Sequence, residues 1–600
     1  MLSSPPQRRS STVAPRCSAS PGVPAAWARL WRLGVLFAAA AAAGGCTSSE
    51  VARDGSPVTA VTAAGQSDVP ARVVIERTYA APEECATGFV AHRLAHVTKA
   101  SGPVVGYYDS NGAGLATADL DDDGDLDLVL ANLNGPNVVA WNEGALRFRE
   151  QALPLGGSRG VAVVDLDGDG GRDLVFTQGY GSLLVYRDHG GGPDVGRYRR
   201  ATLAGVRVPA YAMDWADVDG DGDLDLATAS YDTMLEKDLR DTFLFGTGAG
   251  VALYRNDGDR FTLTRLAQAS QALAVAFFDV DDDGWPDLLV GNDFETPDFV
   301  FANPGRDGGT WRSVEPFAVT TRNTMSFVPF DVDRDGRLDL FATDMKPAFD
   351  RANEIAAWLP LLERGYQTRR ESERQIAENV LLLRGGDGYR NVAYRQGVDA
   401  TGWSWSAAFG DLDLDGRPDL YVVNGMIARE AFPHLDGHAL VEANRAFRGT
   451  PSGGFAPALE WGLGDVASGR GMVFADLDDD GDLDVAVNAL EAPATVFENR
   501  LCRAGTPLAV DLRWPGSGNT YAVGARLTIV ANGIPYVREV RGTSGYLSGP
   551  PARLHLGLPD GVAIERAWVV WPDGGATALE GLSPGVRAIV VRDVAPKAAR

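Results

Sequence analysis

The chain has 600 residues, 45% of them hydrophobic, and a formal net charge of −25. That length supports a large core in one big domain plus a small one. The acidity argues against a nucleic-acid partner, which calls for a basic footprint.

The first 45 residues read as a secretory leader of the lipoprotein type. Arg8, Arg9, Arg16, Arg29 and Arg32 make a basic start with no acid before Glu50, and Leu33 to Ala43 is an apolar run of signal length, short for a membrane span. Gly44-Gly45-Cys46 follows and resembles a bacterial lipobox, with Ala43 where Leu is usual. Cys46 is therefore the expected lipidation site, and the protein is expected to be exported and anchored in a bacterial cell envelope. Residues 46–84, rich in Ala, Ser, Thr, Val and Pro, read as a flexible tether.

The next signal is DLDDDGDLD at Asp119 to Asp127, nine residues with six aspartates. Like charges this dense repel, so an ordered segment of this kind needs a cation inside it. The grammar D-x-D-x-D-G-x-x-D occurs seven times. Its aspartates at positions one, three, five and nine are Asp119, Asp121, Asp123 and Asp127 in the first loop and Asp165, Asp167, Asp169 and Asp173 in the second. Asp217, Asp219, Asp221 and Asp225 form the third set, and Asp279, Asp281, Asp283 and Asp287 the fourth. Asp331, Asp333, Asp335 and Asp339 follow, then Asp411, Asp413, Asp415 and Asp419, and last Asp476, Asp478, Asp480 and Asp484. Carboxylates at this spacing converge, glycine at position six permits the sharp turn, and the hard oxygen cage suits calcium, up to seven ions. Seven such ions would offset much of the acidity.

An EF-hand would need flanking helices and a glutamate at position twelve. The flanks are instead short apolar runs, such as GLATA before the first loop and LVLAN after it, which read as strands. Each loop is then a hairpin. A third strand ending in a tight-turn signal and a fourth strand follow, as in NVVAWNEGALRFRE from Asn137 and VALYRNDGDRFTL from Val251. Four strands in each of seven units predict an all-β fold, a seven-bladed β-propeller over 85–500, with a small β domain over 501–600.

The loops resemble the FG-GAP and VCBS repeats of integrin α-subunit propellers. Thr401 to Gly425, TGWSWSAAFGDLDLDGRPDLYVVNG, is similar to bacterial relatives of cartilage acidic protein. The tail resembles the ASPIC/UnbV domain in NTYAVGARLTIVANG from Asn519, GYLSGPPARLHLGL from Gly545 and VVWPDG from Val569. The resemblance implies a calcium-binding, exported propeller protein and says little about a substrate. Phe-Gly precedes the loop only at Phe409-Gly410, a departure from the repeat.

Catalytic signals are thin. Gly156 to Gly160 matches G-x-S-x-G but runs into a predicted strand rather than a strand–turn–helix elbow. His92 and His96, and His434 and His438, are each four apart without evident third ligands. Trp403 and Trp405 alternate at strand spacing and read as blade core ahead of ligand contact. Insertions at about 232–248, 345–378 and 426–440 all fall between second and third strands, on the face opposite the calcium hairpins. The middle one has helical composition.

Of four cysteines, Cys17 leaves with the leader and Cys46 carries lipid, leaving Cys85 and Cys502 in an oxidising compartment. The seventh unit shows only three strands, and ATGFVAHRL from Ala86 looks like a fourth strand without its blade. A Cys85–Cys502 disulfide is expected to clasp first strand to last. The expected function is binding of a protein or glycan partner through the decorated face. A calcium-dependent envelope polysaccharide hydrolase or lyase and an assembly factor for another exported protein stand as alternatives.

Overall fold

A computed structural model describes residues 69–80, 85–100, 105–178, 181–232, 249–258, 260–293, 296–306, 308–348, 352–365 and 374–593. In it each acidic loop joins the first two strands of an antiparallel sheet. The first sheet runs Leu115–Ala118, Asp127–Leu130, Pro136–Asn142 and Phe148–Gly156, neighbours in that order. Sheets two to seven repeat the plan from the inner strands Ser158–Val164, Ala212–Ala216, Ala272–Phe278, Ser326–Phe330, Gly402–Gly410 and Ser468–Ala475. The sixth gains a fifth strand, because Met345–Lys346 pairs with Trp403 and Gly402.

The sheets share cores pairwise. Leu128 and Ala140 of sheet one pack with Val473 and Ala486 of sheet seven, and Val129 and Trp141 pack with Val161 and Leu174 of sheet two. The same holds for each following pair, so the arrangement is propeller-like and closes on itself. Closure uses the chain's beginning. Phe89–Val97 pairs antiparallel with Pro493–Asn499 and becomes the fourth strand of sheet seven. Just outside that pair, Cys85 and Cys502 are joined by a disulfide with Cα atoms 4.8 Å apart.

The tail forms two sheets. One contains Gly505–Arg513, Arg553–Pro559 and Val586–Arg592; the other contains Arg526–Ala531, Ile534–Glu539, Ile564–Val570 and Ala576–Ala578. The first sheet has a fourth member, Ala71–Thr78, antiparallel to Val586–Arg592. This corrects the expectation of a tether over the whole of 46–84. Val73 packs against the tail core, and its partner strand lies more than 500 residues away, where no local pattern can point to it. The leader and Cys46 lie outside the described residues. Among the described residues, no helix is long and apolar enough to cross a membrane.

The tail is docked on the ring, and its core merges with that of sheets two and three through residues such as Val164 and Trp215. One tail segment, 541–549, enters the centre and bonds to every inner strand. Gly549 O accepts from Thr117 N at 3.0 Å, and Leu547 O accepts from Val161 N at 3.3 Å. Thr543 Oγ1 donates to Met213 O at 3.2 Å, and Arg541 Nη2 donates to Phe277 O at 2.8 Å. Gly545 N donates to Phe327 O at 3.3 Å, Tyr546 N donates to Ser406 Oγ at 3.0 Å, and Ser548 Oγ accepts from Met472 N at 3.1 Å. Tyr546 is fully buried, against Trp405 and hydrogen-bonded to Tyr211. The segment plugs the ring.

Because the disulfide joins the two ends of the closing strand pair, replacing both Cys85 and Cys502 by Ser should lower unfolding free energy by about 2–4 kcal/mol. Urea denaturation checks this; unchanged stability would mean the clasp is dispensable.

Candidate metal centres

Each acidic loop is shaped by the same backbone conformation. Positions four and six both have positive φ in all seven, for example Asp122 at 64° with Gly124 at 100°, and Asp479 at 61° with Gly481 at 103°. Only glycine adopts this region without strain, which accounts for its presence at position six. The turn folds the loop so that carboxylate oxygens of Asp119, Asp121 and Asp123 lie within 4.8 Å of one another. Positions one, three and nine converge in the same way in loops two to five.

Position nine has a second role in every loop. Its Oδ2 accepts from the N–H of position two, and its Oδ1 accepts from the N–H at the end of the third strand. For Asp127 the donors are Leu120 at 3.0 Å and Asn142 at 2.7 Å; for Asp287 they are Val280 at 2.9 Å and Asn303 at 2.8 Å. Asp173, Asp225, Asp339, Asp419 and Asp484 repeat the pattern. All seven are buried. The aspartate therefore locks the loop to the sheet before any ion arrives.

The remaining carboxylates are short of donors. Asp119 Oδ1, Asp121 Oδ1, Asp219 Oδ1, Asp279 Oδ1, Asp331 Oδ1 and Asp476 Oδ1 are buried without a hydrogen-bond partner. A buried charged oxygen left unpaired is costly. Burial pushes the Asp127 carboxyl up to about 8, and Asp217, Asp287 and Asp339 up to about 7. A cation among them removes that penalty. The donor set is all oxygen, so the residues fit a hard ion such as calcium.

The sequence reading missed a staple that links neighbouring loops. In the sequence Asn142 reads only as part of a tight-turn signal. Asn142 Nδ2 donates to Leu126 O of its own loop at 3.2 Å and to Leu477 O of loop seven at 2.6 Å. Asn303 reaches Val218 O of loop three at 2.9 Å, and Asn499 reaches Leu412 O of loop six at 2.8 Å. The recurring Asn at the third-strand end was the available signal.

The tail covers this face. Tyr521 Oη donates to Gly170 O of loop two, His555 Nε2 lies 2.8 Å from Gly481 O of loop seven, and Arg587 Nη1 donates to Gly124 O of loop one. Arg526 Nη1 is 3.4 Å from Asp279 of loop four, and Ala504 N donates to Asp413 O of loop six. Gly518 bridges Asp223 of loop three, and Pro535 lies against Gly336 of loop five.

The other candidates have structural places. Ser158 is buried in a strand and accepts from Asn137 Nδ2 at 2.9 Å, so G-x-S-x-G is no nucleophile elbow. His92 meets Glu498 at 2.7 Å, whereas His96 meets Thr98, so that pair shares no centre. His434 meets Ala357 O. Trp403 packs on Trp358 and Phe432, while Trp405 lies under the Arg470 guanidinium at 4.0 Å; both indoles are core. Buried acids on the face away from the loops act as braces. Asp344 accepts from Arg322, Asn323 and Met345, and Glu442 accepts from Trp358 Nε1 and Trp403 N.

Known proteins give the family setting. A profile for FG-GAP-like repeats matches residues 119–176, 165–228, 238–290 and 279–342, and one for ASPIC and UnbV matches 515–596. The chain carries FG-GAP-like repeats and a C-terminal ASPIC and UnbV domain. Its buried aspartate triads are of the kind typical of FG-GAP calcium sites. Loops six and seven fall outside the matched repeats but share their position-nine bonding. Curated proteins give no match. Two crystal structures of BBS1N in complex with ARL6DN, one soaked with mercury and one with lead, are each 9% identical to the chain. They cover 68% and 67% of it, and 96% of their own chains, at TM-scores of 0.38 and 0.32.

Asp287→Ala removes the acceptor for two buried N–H groups and one ion ligand of loop four. It should destabilise the protein by about 1–3 kcal/mol for each N–H left unpaired and lower the bound calcium count by one. Urea denaturation in calcium buffer and metal analysis check both.

Proposed function

We propose that the protein is a calcium-stabilised, seven-bladed propeller, lipid-anchored at the cell envelope, that binds a protein or glycan partner through the face opposite its calcium loops. The observation that carries this reading is the tail lying over the loop face, contacting all seven loops. Of the ring's two faces, the far one is left uncovered by the tail. In an antiparallel four-stranded sheet, the loops and the third-to-fourth turns share one side. The second-to-third and fourth-to-first connections share the other.

Exposed apolar side chains support the same face. Leu359, Tyr394, Val441 and Val466 all sit on such connections of sheets five, six and seven, with Tyr394 82% and Val441 64% exposed. The sheet-five insertion carries helix Ala352–Gly365, whose Trp358 packs on Phe432 of the sheet-six insertion. The two elaborations thus form one platform.

Pull-down from envelope extract tests this reading. Tyr394→Asp combined with Val441→Asp should lose the partner while keeping calcium content and thermal midpoint. Val74→Asp with Ile75→Asp, exposed on the tail strand, should bind normally. The reverse pattern would place the binding surface on the tail. Separately, Cys46→Ser should move the protein from the membrane fraction to the soluble one. An unchanged distribution would remove the lipid anchor from the proposal.

A further inference from the structure

One side chain in each sheet stands just before the third-strand group that holds position nine. In chain order these are Trp141, Arg187, Arg255, Ala302, Leu383, Arg448 and Glu498. Where this residue is arginine, it faces the position-three carboxylate of its own loop. Arg255 Nε lies 3.8 Å from Asp219 Oδ2, and Arg448 Nε lies 3.1 Å from Asp413 Oδ2. Both are substantially exposed, and each reaches a single carboxylate of the ion-binding set.

Arg187 is placed differently. Its Nη1 is 3.2 Å from Asp167 Oδ2 and 2.6 Å from Asp173 Oδ2 at once, so one nitrogen bridges positions three and nine. Those are two of the three carboxylates that converge in loop two. The third, Asp165, accepts from Gly168 N and Gly170 N, one on each oxygen, both at 2.9 Å. Loops two and six contribute no carboxylate oxygen to the buried, unpartnered set, whereas loops one, three, four, five and seven each contribute at least one. Loop six differs from loop two in that its arginine, Arg448, reaches Asp413 alone of that loop's carboxylates and bridges no second ligand. The need for a cation is met in loop two from within the chain.

We propose that the Arg187 guanidinium takes the place of calcium in loop two, so that this loop closes without an ion and the chain binds six ions rather than seven. This rests on the calcium reading of the other loops. An arginine is always charged and presents several N–H donors in a fixed fork. It can join two carboxylates as an ion does, and it cannot be removed by a chelator. Loop two lies between loops one and three, whose orphaned oxygens call for ions. A chelator-resistant loop there keeps one sector of the ring closed when the others open.

Native mass spectrometry of the full protein equilibrated with calcium alone tests the proposal by difference. Asp281→Asn, in loop four, should bind one ion fewer than wild type. Asp167→Asn should bind the same number, and Arg187→Ala should bind one more. Loss of an ion in Asp167→Asn, or an Arg187→Ala count equal to wild type, overturns the proposal. Should wild type and all three variants bind no calcium, the calcium reading itself fails and the proposal with it. Circular dichroism of each variant separates a lost ion from a lost fold.

Discussion

Everything in this fold depends on neutralising like charge. Loops one to five each bring three carboxylates to within 4.8 Å of one another, and burial leaves several oxygens of the acidic loops without donors. At such distances uncompensated repulsion is large in a partly buried site. The backbone alone fixes the loops only in part, through the position-nine aspartate. Cations among the remaining carboxylates would complete that neutralisation. Three Asn staples tie loops seven, three and six to the neighbouring sheet, so an ion bound in one of these loops would support the next sheet. Asn142, reaching from sheet one to loop seven, extends this support across the seam where the ring closes.

That seam is reinforced twice more. Phe89–Val97 supplies the missing strand, and the Cys85–Cys502 disulfide ties its start to the end of the last blade strand. The tail then seals the same face. Its 541–549 segment makes a bond to each inner strand, a geometry that exists only while all seven strands stand at their places around the axis. Loops, staples and plug are therefore coupled. Disturbing the loops should loosen the plug, and the platform on the far face rests on inner strands that the plug braces. Tyr546 links the two directly, since it packs on Trp405, which lies within one apolar cluster with Trp358, Trp403 and Phe432.

Legibility followed distance along the chain. The loop grammar, the hairpin strands and the tail motifs are local patterns, and residues such as Asp119 and Gly124 announce themselves by spacing alone. The closing strand was legible because a unit with three strands must find a fourth and because two cysteines flanked the gap. The strand Ala71–Thr78 was not, since its exposed Val74 and Ile75 break the alternation that marks a half-buried strand. Nor could sequence show that GYLSGPP belongs to a plug, because the partners of 541–549 lie on seven strands scattered over more than 350 residues. Arg187 looked like any other scattered arginine. Its meaning comes only from standing between Asp167 and Asp173 in space.

Hydrogen exchange at the backbone of residues 541–549, with calcium and with chelator, is the most direct test of this coupling. With calcium the segment should be strongly protected; after chelation it should open together with the ion-binding loops, loop two excepted, in one transition. Protection that persists unchanged while chelation opens the loops would contradict the account. It would mean that the plug and the inner strands hold without the ions.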